Sequence, residues 1–343
     1  MTVNLNAGLG AVTALILAAL PGKAVELKLQ WQPGKRYIFD NRADTSMKMP
    51  LPGQGLIETT ANMVLRVHND VSSHKEGVRV SHAFASVRMK QQMQGLEMEY
   101  DSADPAKRDG LLGTVLKPLT ETRFSAVYDN NGALVGTEGL DDLKGAQQMG
   151  MGKEELEAMA RQSADFLPVK NVEVGEAWNA DVDLPMGELG GKVTIRYVLK
   201  LEELLEQKGR RVARVSMTGA TKEADAGEKK NEILRTEVKQ ATGTMLFDIE
   251  LGQPLEIETS IFLETGLPAG IPKAPGAPGK MPLKTVSVQK LVGVEDVREA
   301  PPAGKTQSEG KPDETAAAES KEDKKARRKA RRAKRLQEKA DAE

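Results

Sequence analysis

Two stretches of this sequence are written twice. The segment Gly34-Lys35-Arg36-Tyr37-Ile38-Phe39 is echoed by Gly175-Glu176-Ala177-Trp178-Asn179-Ala180. Further on, Phe124-Ser125-Ala126-Val127-Tyr128-Asp129 turns through Gly132 into Val135-Gly136-Thr137-Glu138. Its counterpart, Met245-Leu246-Phe247-Asp248, turns through Gly252 into Ile257-Glu258-Thr259. Each block opens on a glycine-led strand and closes on a hairpin, so the chain is expected to build two related β-halves sharing one core. The repeat constrains architecture and carries no chemistry.

Between the echoes the apolar residues alternate with period two, the spacing of a half-buried strand. Val25, Leu27 and Leu29 suit an opening strand, and Pro33-Gly34 a turn into the next, around Tyr37 to Phe39. Met63, Leu65, Val67 and Val71 lie on one face, opposite Val64, Arg66, His68 and Asp70. A turn at 72–77 returns the chain as Val80, His82 and Phe84. Beyond Phe84 the apolar parity flips to Val87, Met89 and Met93, which predicts a bulge near Ser86 and a sheet that curls there. Val193, Ile195, Tyr197, Leu199 and Leu201 form one face of a strand in the second half, with further strands at Ala213–Met217 and Leu234–Gln240 and a last one through Val286 and Val288. Two amphipathic helices are predicted. One follows Pro105, with Leu111, Leu112, Val115, Leu116 and Leu119 inward. The other runs from Lys153 to Phe166 on a Leu156, Met159, Ala160, Ser163 and Phe166 stripe and stops at Pro168. Trp31 and Trp178 are expected to be core anchors at corresponding places.

Charge is unevenly spread. Residues 299–343 hold 13 Lys/Arg against 10 Asp/Glu, so with a net charge of -1 for the whole chain the remainder is mildly acidic. That is no global footprint for nucleic acid. The absence of Cys excludes disulfides, thiolate nucleophiles and Cys-based zinc sites. Leu9 to Leu20 is an apolar run of about a dozen residues, short of the ~20 that span a bilayer. Gly22 and Ala24 follow it at signal-peptidase spacing, which predicts export with cleavage after Ala24. Pro268 to Pro282 alternates Pro, Gly and Ala and reads as an extended loop. The expected organisation is a signal peptide over 1–24, a first β-rich half with helices over 25–170, a second over 171–298, and a disordered basic tail over 299–343.

Candidate chemistry is sparse. His68 and His82 stand on two arms of one hairpin, but the alternation puts them on opposite faces, so they cannot share a metal. Met47 with Met49, Met89 with Met93, and Met149 with Met151 resemble thioether pairs for Cu(I), yet on strands they read more simply as one inward face. Asp101, Asp104 and Asp109 fit helix capping. Tyr100-Asp101-Ser102 has no His or Lys at a spacing that would make Ser102 a nucleophile, and Asp129-Asn130-Asn131-Gly132 is a hairpin turn. No phosphate loop or nucleophile elbow is present. Within the tail, Lys324, Lys325, Arg327, Arg328, Arg331 and Arg332 could bind an anionic membrane or envelope polymer.

The pattern Leu29-x-Trp31-x-Pro33-Gly34-Lys35-x-Tyr37, with Tyr100-Asp101-Ser102 and Val174-Gly175-Glu176-Ala177-Trp178, resembles an uncharacterised family of exported bacterial β-rich proteins. The resemblance covers Val25 to Val297. It implies a secreted or envelope protein and supplies no catalytic residues.

The expected fold is mainly β (α+β): two related curved antiparallel sheets with a few short amphipathic helices, plus a disordered or helical basic C-terminal tail. The expected function is that of a non-enzymatic envelope protein, periplasmic or extracellular, with no cofactor. It binds a lipid or other apolar small molecule between sheet and helices through Met89, Met93, His82, Phe84 and Tyr197. The alternatives are an adaptor that docks through its tail and a hydrolase in which an Asp and His82 converge.

Overall fold

A computed structural model describes residues 24–51, 55–140, 153–185, 192–222, 236–266 and 279–297. The chain divides into two compact units, Met1–Arg298 and Glu299–Glu343, and every described residue belongs to the first. The strands are β1 (Lys35–Leu51), β2 (Gly55–His74), β3 (Gly77–Met93), β4 (Leu96–Asp101), β5 (Arg123–Tyr128), β6 (Leu134–Glu138), β7 (Ala177–Pro185), β8 (Lys192–Gln207), β9 (Arg210–Thr221), β10 (Thr236–Asp248), β11 (Gln253–Gly266) and β12 (Lys280–Asp296). Three helices accompany them among the described residues: α1 (Pro105–Arg108), α2 (Leu111–Glu121) and α3 (Lys153–Asp165).

The strands form one antiparallel sheet in the order β6-β5-β3-β2-β1-β12-β11-β10-β9-β8-β7, with β4 alongside β3. The predicted halves are thus two meanders laid side by side in the same chain order. β12 lies between them, paired with β1 on one edge and β11 on the other. The echoed residues take equivalent places. Gly34 and Gly175 both have positive φ, and their N–H groups donate to Val71 O at 2.8 Å and Leu201 O at 2.7 Å. At the closing hairpins, Asp129 Oδ1 accepts from the N–H groups of Asn131 and Ala133, and Asp248 Oδ1 from that of Leu251.

Three residues beyond each leading glycine stand Tyr37 and Trp178, so Tyr37, not Trp31, is the counterpart of Trp178. Trp31 comes before the repeat begins and packs edge-on against Tyr37, with ring centroids 5.0 Å apart. Trp178 is half-buried, and its Nε1–H donates to Phe166 O at 3.0 Å.

Elementary spacing shows how far the sheet curls. Ten inter-strand gaps at ~4.8 Å put β6 and β7 nearly 50 Å apart in a flat sheet. Yet Thr137 of β6 donates to Glu157 of α3 at 2.9 Å, while Trp178 of β7 bonds Phe166 just past its end. Nine helical residues span only ~14 Å. The sheet therefore bends until its two edges reach one helix. Tyr128 of β5 fastens the same helix by donating to Ala160 O at 2.7 Å.

The halves do not share one core: two core groups fill the curl, one under each meander. The first half buries Tyr37, Phe39, Phe84, Phe124 and Tyr128 under Leu116 and Leu119 of α2 and Leu156 and Ala160 of α3. The second buries Ile195, Tyr197, Leu199, Met217, Met245 and Phe247 with Phe166. The opening segment crosses both. It is not the regular strand predicted, for it makes only an isolated bridge, Val25 to Val172. Its alternation nonetheless holds: Val25 and Leu27 enter the second core and Leu29 the first. The closing turns press on this strap. A Cβ at Gly132 would lie 2.6 Å from Leu29 O, and one at Gly252 2.5 Å from Gln30 Cβ.

The bulge near Ser86 is present: Arg66 faces Ser86 while Val67 faces Phe84, leaving Ala85 unopposed. Ser102 closes it, donating its N–H to Val87 O at 2.9 Å and accepting Val87 N–H at its Oγ at 3.0 Å. The Tyr-Asp-Ser turn thus has a structural role. One helix stripe differs from expectation. In α2, Leu116 and Leu119 are buried, but Leu111 is 75% and Val115 39% exposed, because the helix leans on its Gly113 and Leu116 side toward β3 and β4.

Candidate functional site

Following cross-strand partners from Tyr37 picks out the inner face. It carries Asn41, Ala43, Thr45 and Met47 on β1, and Thr59, Ala61 and Met63 on β2. Met89, Gln91 and Met93 continue it on β3, and Thr285, Ser287 and Gln289 on β12. Every one of these residues is half-buried. Apart from Met89, which packs on the first core, none belongs to either core group. Toward the turn end the same strands bury Tyr37, Phe39 and Val67, so a filled interior opens into a half-buried trough. From Asn41 to Met47 it runs ~20 Å along the strands. Its walls are thioethers and methyls; its floor includes the facing hydroxyl pairs Thr45–Thr285 at 3.3 Å and Thr259–Ser287 at 2.7 Å.

The outer face of these strands is of opposite character. Arg66 binds Asp40 through two hydrogen bonds, at 2.7 and 2.8 Å, and Arg36 binds Asp70 in the same forked way. Hydrogen bonding from Arg66 lowers the Asp40 pKa. Arg196 and Lys222 together hold the Asp181 carboxyl well below the usual range. Exposed pairs like these keep a surface wet and add little stability each. A cleft of about 650 Å³ between Leu56, Glu58, Thr60, Gln92 and Gln94 lies mainly on this outer side. It is wide open to solvent, with Leu56 and Ile57 set among polar side chains, and so does not enclose a guest.

The five side chains singled out from sequence are not brought together. Met89 and Met93 lie on the trough. Phe84 is buried in the first core and Tyr197 in the second, its ring edge-on to Phe166 at 5.5 Å. His82 is 6% exposed and stacks on Phe124 at 4.6 Å; its Nδ1–H donates to Asn69 Oδ1 at 2.9 Å. Burial lowers its pKa to about 4, so at neutral pH it is an uncharged core residue. His68 points to the outer face, as the alternation requires. Among the described residues no group of three His, Cys, Asp or Glu could hold a metal. Met149, Met151 and the tail residues Lys324 to Arg332 lie outside the described residues.

Sequence reasoning missed the centre of the trough. Asn41, Thr45, Thr285, Ser287 and Gln289 are polar, and in an alternating strand polar positions read as the wet face. The available signal was the outer neighbours: Asp40, Arg42, Asp44, Lys284 and Lys290 are charged, and strands with one charged and one neutral polar face turn the charged one outward.

No family model and no curated protein sequence matches this chain. Among solved structures it is similar to one described as lipid-protein interactions in lipovitellin, with TM-score 0.47 and 13% identity over 81% of this chain and 27% of that one. This chain therefore spans about a quarter of that protein's length. A second similarity, to DynF from the dynemicin biosynthesis pathway of Micromonospora chersina, has TM-score 0.17 and 8% identity over 84% of this chain and 92% of that one. At these scores neither likeness bears on what the chain does.

Proposed function

We propose that this protein is a non-enzymatic binder of an apolar small molecule, which it holds in the inner-face trough, and that it works outside the cytoplasm after export. One observation carries the binding reading: a band of Met, Ala and Thr across four central strands is half-buried, and apart from Met89 it belongs to neither core group. Apolar surface left uncovered on a concave face gains free energy when a ligand removes it from water, about 25 cal/mol per Å². Binding rather than catalysis is supported by the lining, whose described residues offer no general acid, base or activated nucleophile. Export rests on the Leu9–Leu20 run and the small residues Gly22 and Ala24.

The test is native mass spectrometry, followed by organic extraction, on full-length protein purified from an exporting host. A reproducible apolar adduct that disappears in Ala61→Trp, which fills the trough, is the expected result. Protein that stays empty after incubation with long-chain alkanes and esters removes the proposal. N-terminal sequencing of the same sample checks export: a mature chain starting at Val25 is expected.

A further inference from the structure

Among the described residues, the lining of the trough carries no charge. Taken strand by strand, the inner-face positions from Tyr37 to Met47, Ile57 to Val71, Val80 to Met93, Ile257 to Thr265 and Met281 to Leu291 include no Asp, Glu, Lys or Arg. His82, the one imidazole there, is neutral and sealed in the core. Such a run is not a by-product of low charge content, because the outer positions of the same strands are laced with ion pairs. A ligand with an ionised group lying inside would lose its hydration and find no counter-charge, which is a heavy penalty.

Hydrogen-bonding capacity, by contrast, is left over in the trough. Asn41 and Gln289 face each other across β1 and β12, and among the described residues neither carboxamide meets a partner. Thr59 lies toward the opposite end, between Met47 and Met93 on its neighbouring strands. Its Oγ1 is buried and unpaired. Of these, only Thr59 Oγ1 is sealed from water, where an unpaired polar atom is costly. The half-buried Asn41 and Gln289 amides remain free to bond, so a bound ester, alcohol or amide finds partners in the trough without bringing charge. Building on the binding reading above, we infer that the ligand is an uncharged lipid. Its chain lies along the Met-lined strands, and its ester, hydroxyl or amide group meets the Asn41–Gln289 pair.

Competition between methyl oleate and oleate on the full-length protein tests this, read by native mass spectrometry at pH 9, where the free acid is ionised. The two probes share a chain and differ in charge. The ester is expected to be retained at least tenfold more tightly. Asn41→Leu combined with Gln289→Leu is expected to weaken ester binding severalfold while leaving hexadecane binding unchanged, which a general loss of folding would not do. Ala43→Lys, which places an ammonium in the trough, is expected to turn the preference toward oleate. Oleate binding as tightly as the ester in the unaltered protein overturns the inference while leaving the binding reading standing. If ester, acid and hexadecane all fail to bind, the binding reading itself falls.

Discussion

His82 illustrates how burial, without any reactive partner, creates a pH-sensitive residue. Its folded pKa of about 4 lies below the unfolded value near 6.5, so the unfolded chain binds the proton more readily. Its stability contribution is intact above pH ~6.5, falls as pH drops through that value, and stops falling below pH ~4, where both states are protonated. The loss amounts to about 3 kcal/mol. Urea unfolding from pH 7.5 to 4 should show it, and His82→Gln, which keeps a donor for Asn69 and removes the titration, should flatten that part of the profile. An unchanged slope would assign the acid sensitivity to carboxylates instead. Gly243 is constrained by space rather than by φ. A Cβ there would lie 2.3 Å from Glu258 O and 2.8 Å from Met217 Cε. Gly243→Ala should therefore cost roughly 1–3 kcal/mol through overpacking, measured by the shift in urea midpoint. Neither property is readable from the residue's own neighbours in sequence, since Asn69, Phe124 and Glu258 come from other strands.

At the scale of elements, the strap and α3 do work that strand pairing leaves undone. The two meanders meet through β12, while the strap contributes Leu27 to one core and Leu29 to the other. Leu27→Ala and Leu29→Ala should each cost about 2–5 kcal/mol, as buried leucine truncations do. Because one segment serves both cores, each substitution should shift a single calorimetric transition. Two separated transitions would mean that the halves unfold independently. Most strands and their apolar faces, the Ser86-side bulge and both longer helices were legible in the sequence because each depends on local periodicity. The opening segment, which makes only an isolated bridge, and the polar stretch of the inner face were not. The reach of α3 was not. Its inward stripe is visible in Leu156, Ala160 and Phe166, but nothing in that stripe says it meets both edges of one sheet. The α2 stripe misled for a related reason: periodicity marks an apolar arc, and contact with β3 and β4 selects which part of it is buried.

At the largest scale, the described strands contrast a charged outer face with an inner face that is uncharged, filled at one end and half-exposed at the other. Ligand loading should therefore be felt unevenly. Amide hydrogen exchange should slow in Asn41–Met47 and Leu283–Gln289 when methyl oleate is bound, while Tyr37 and Phe39, already buried, should not change. Protection spread evenly over all strands would point to global stabilisation without a local site. Sequence alone determined that the chain is β-rich, that it repeats a strand plan, and which residues share a face, because alternation and turn chemistry are short-range properties. Only the tertiary structure decided that the halves form one continuous sheet and that its edges return to a single helix. It alone placed Asn41, Thr59 and Gln289 on a half-buried inner face. Those outcomes depend on which strands pair and how far the sheet coils. Coiling sums small twists over many strands, and no local pattern of residues records that sum.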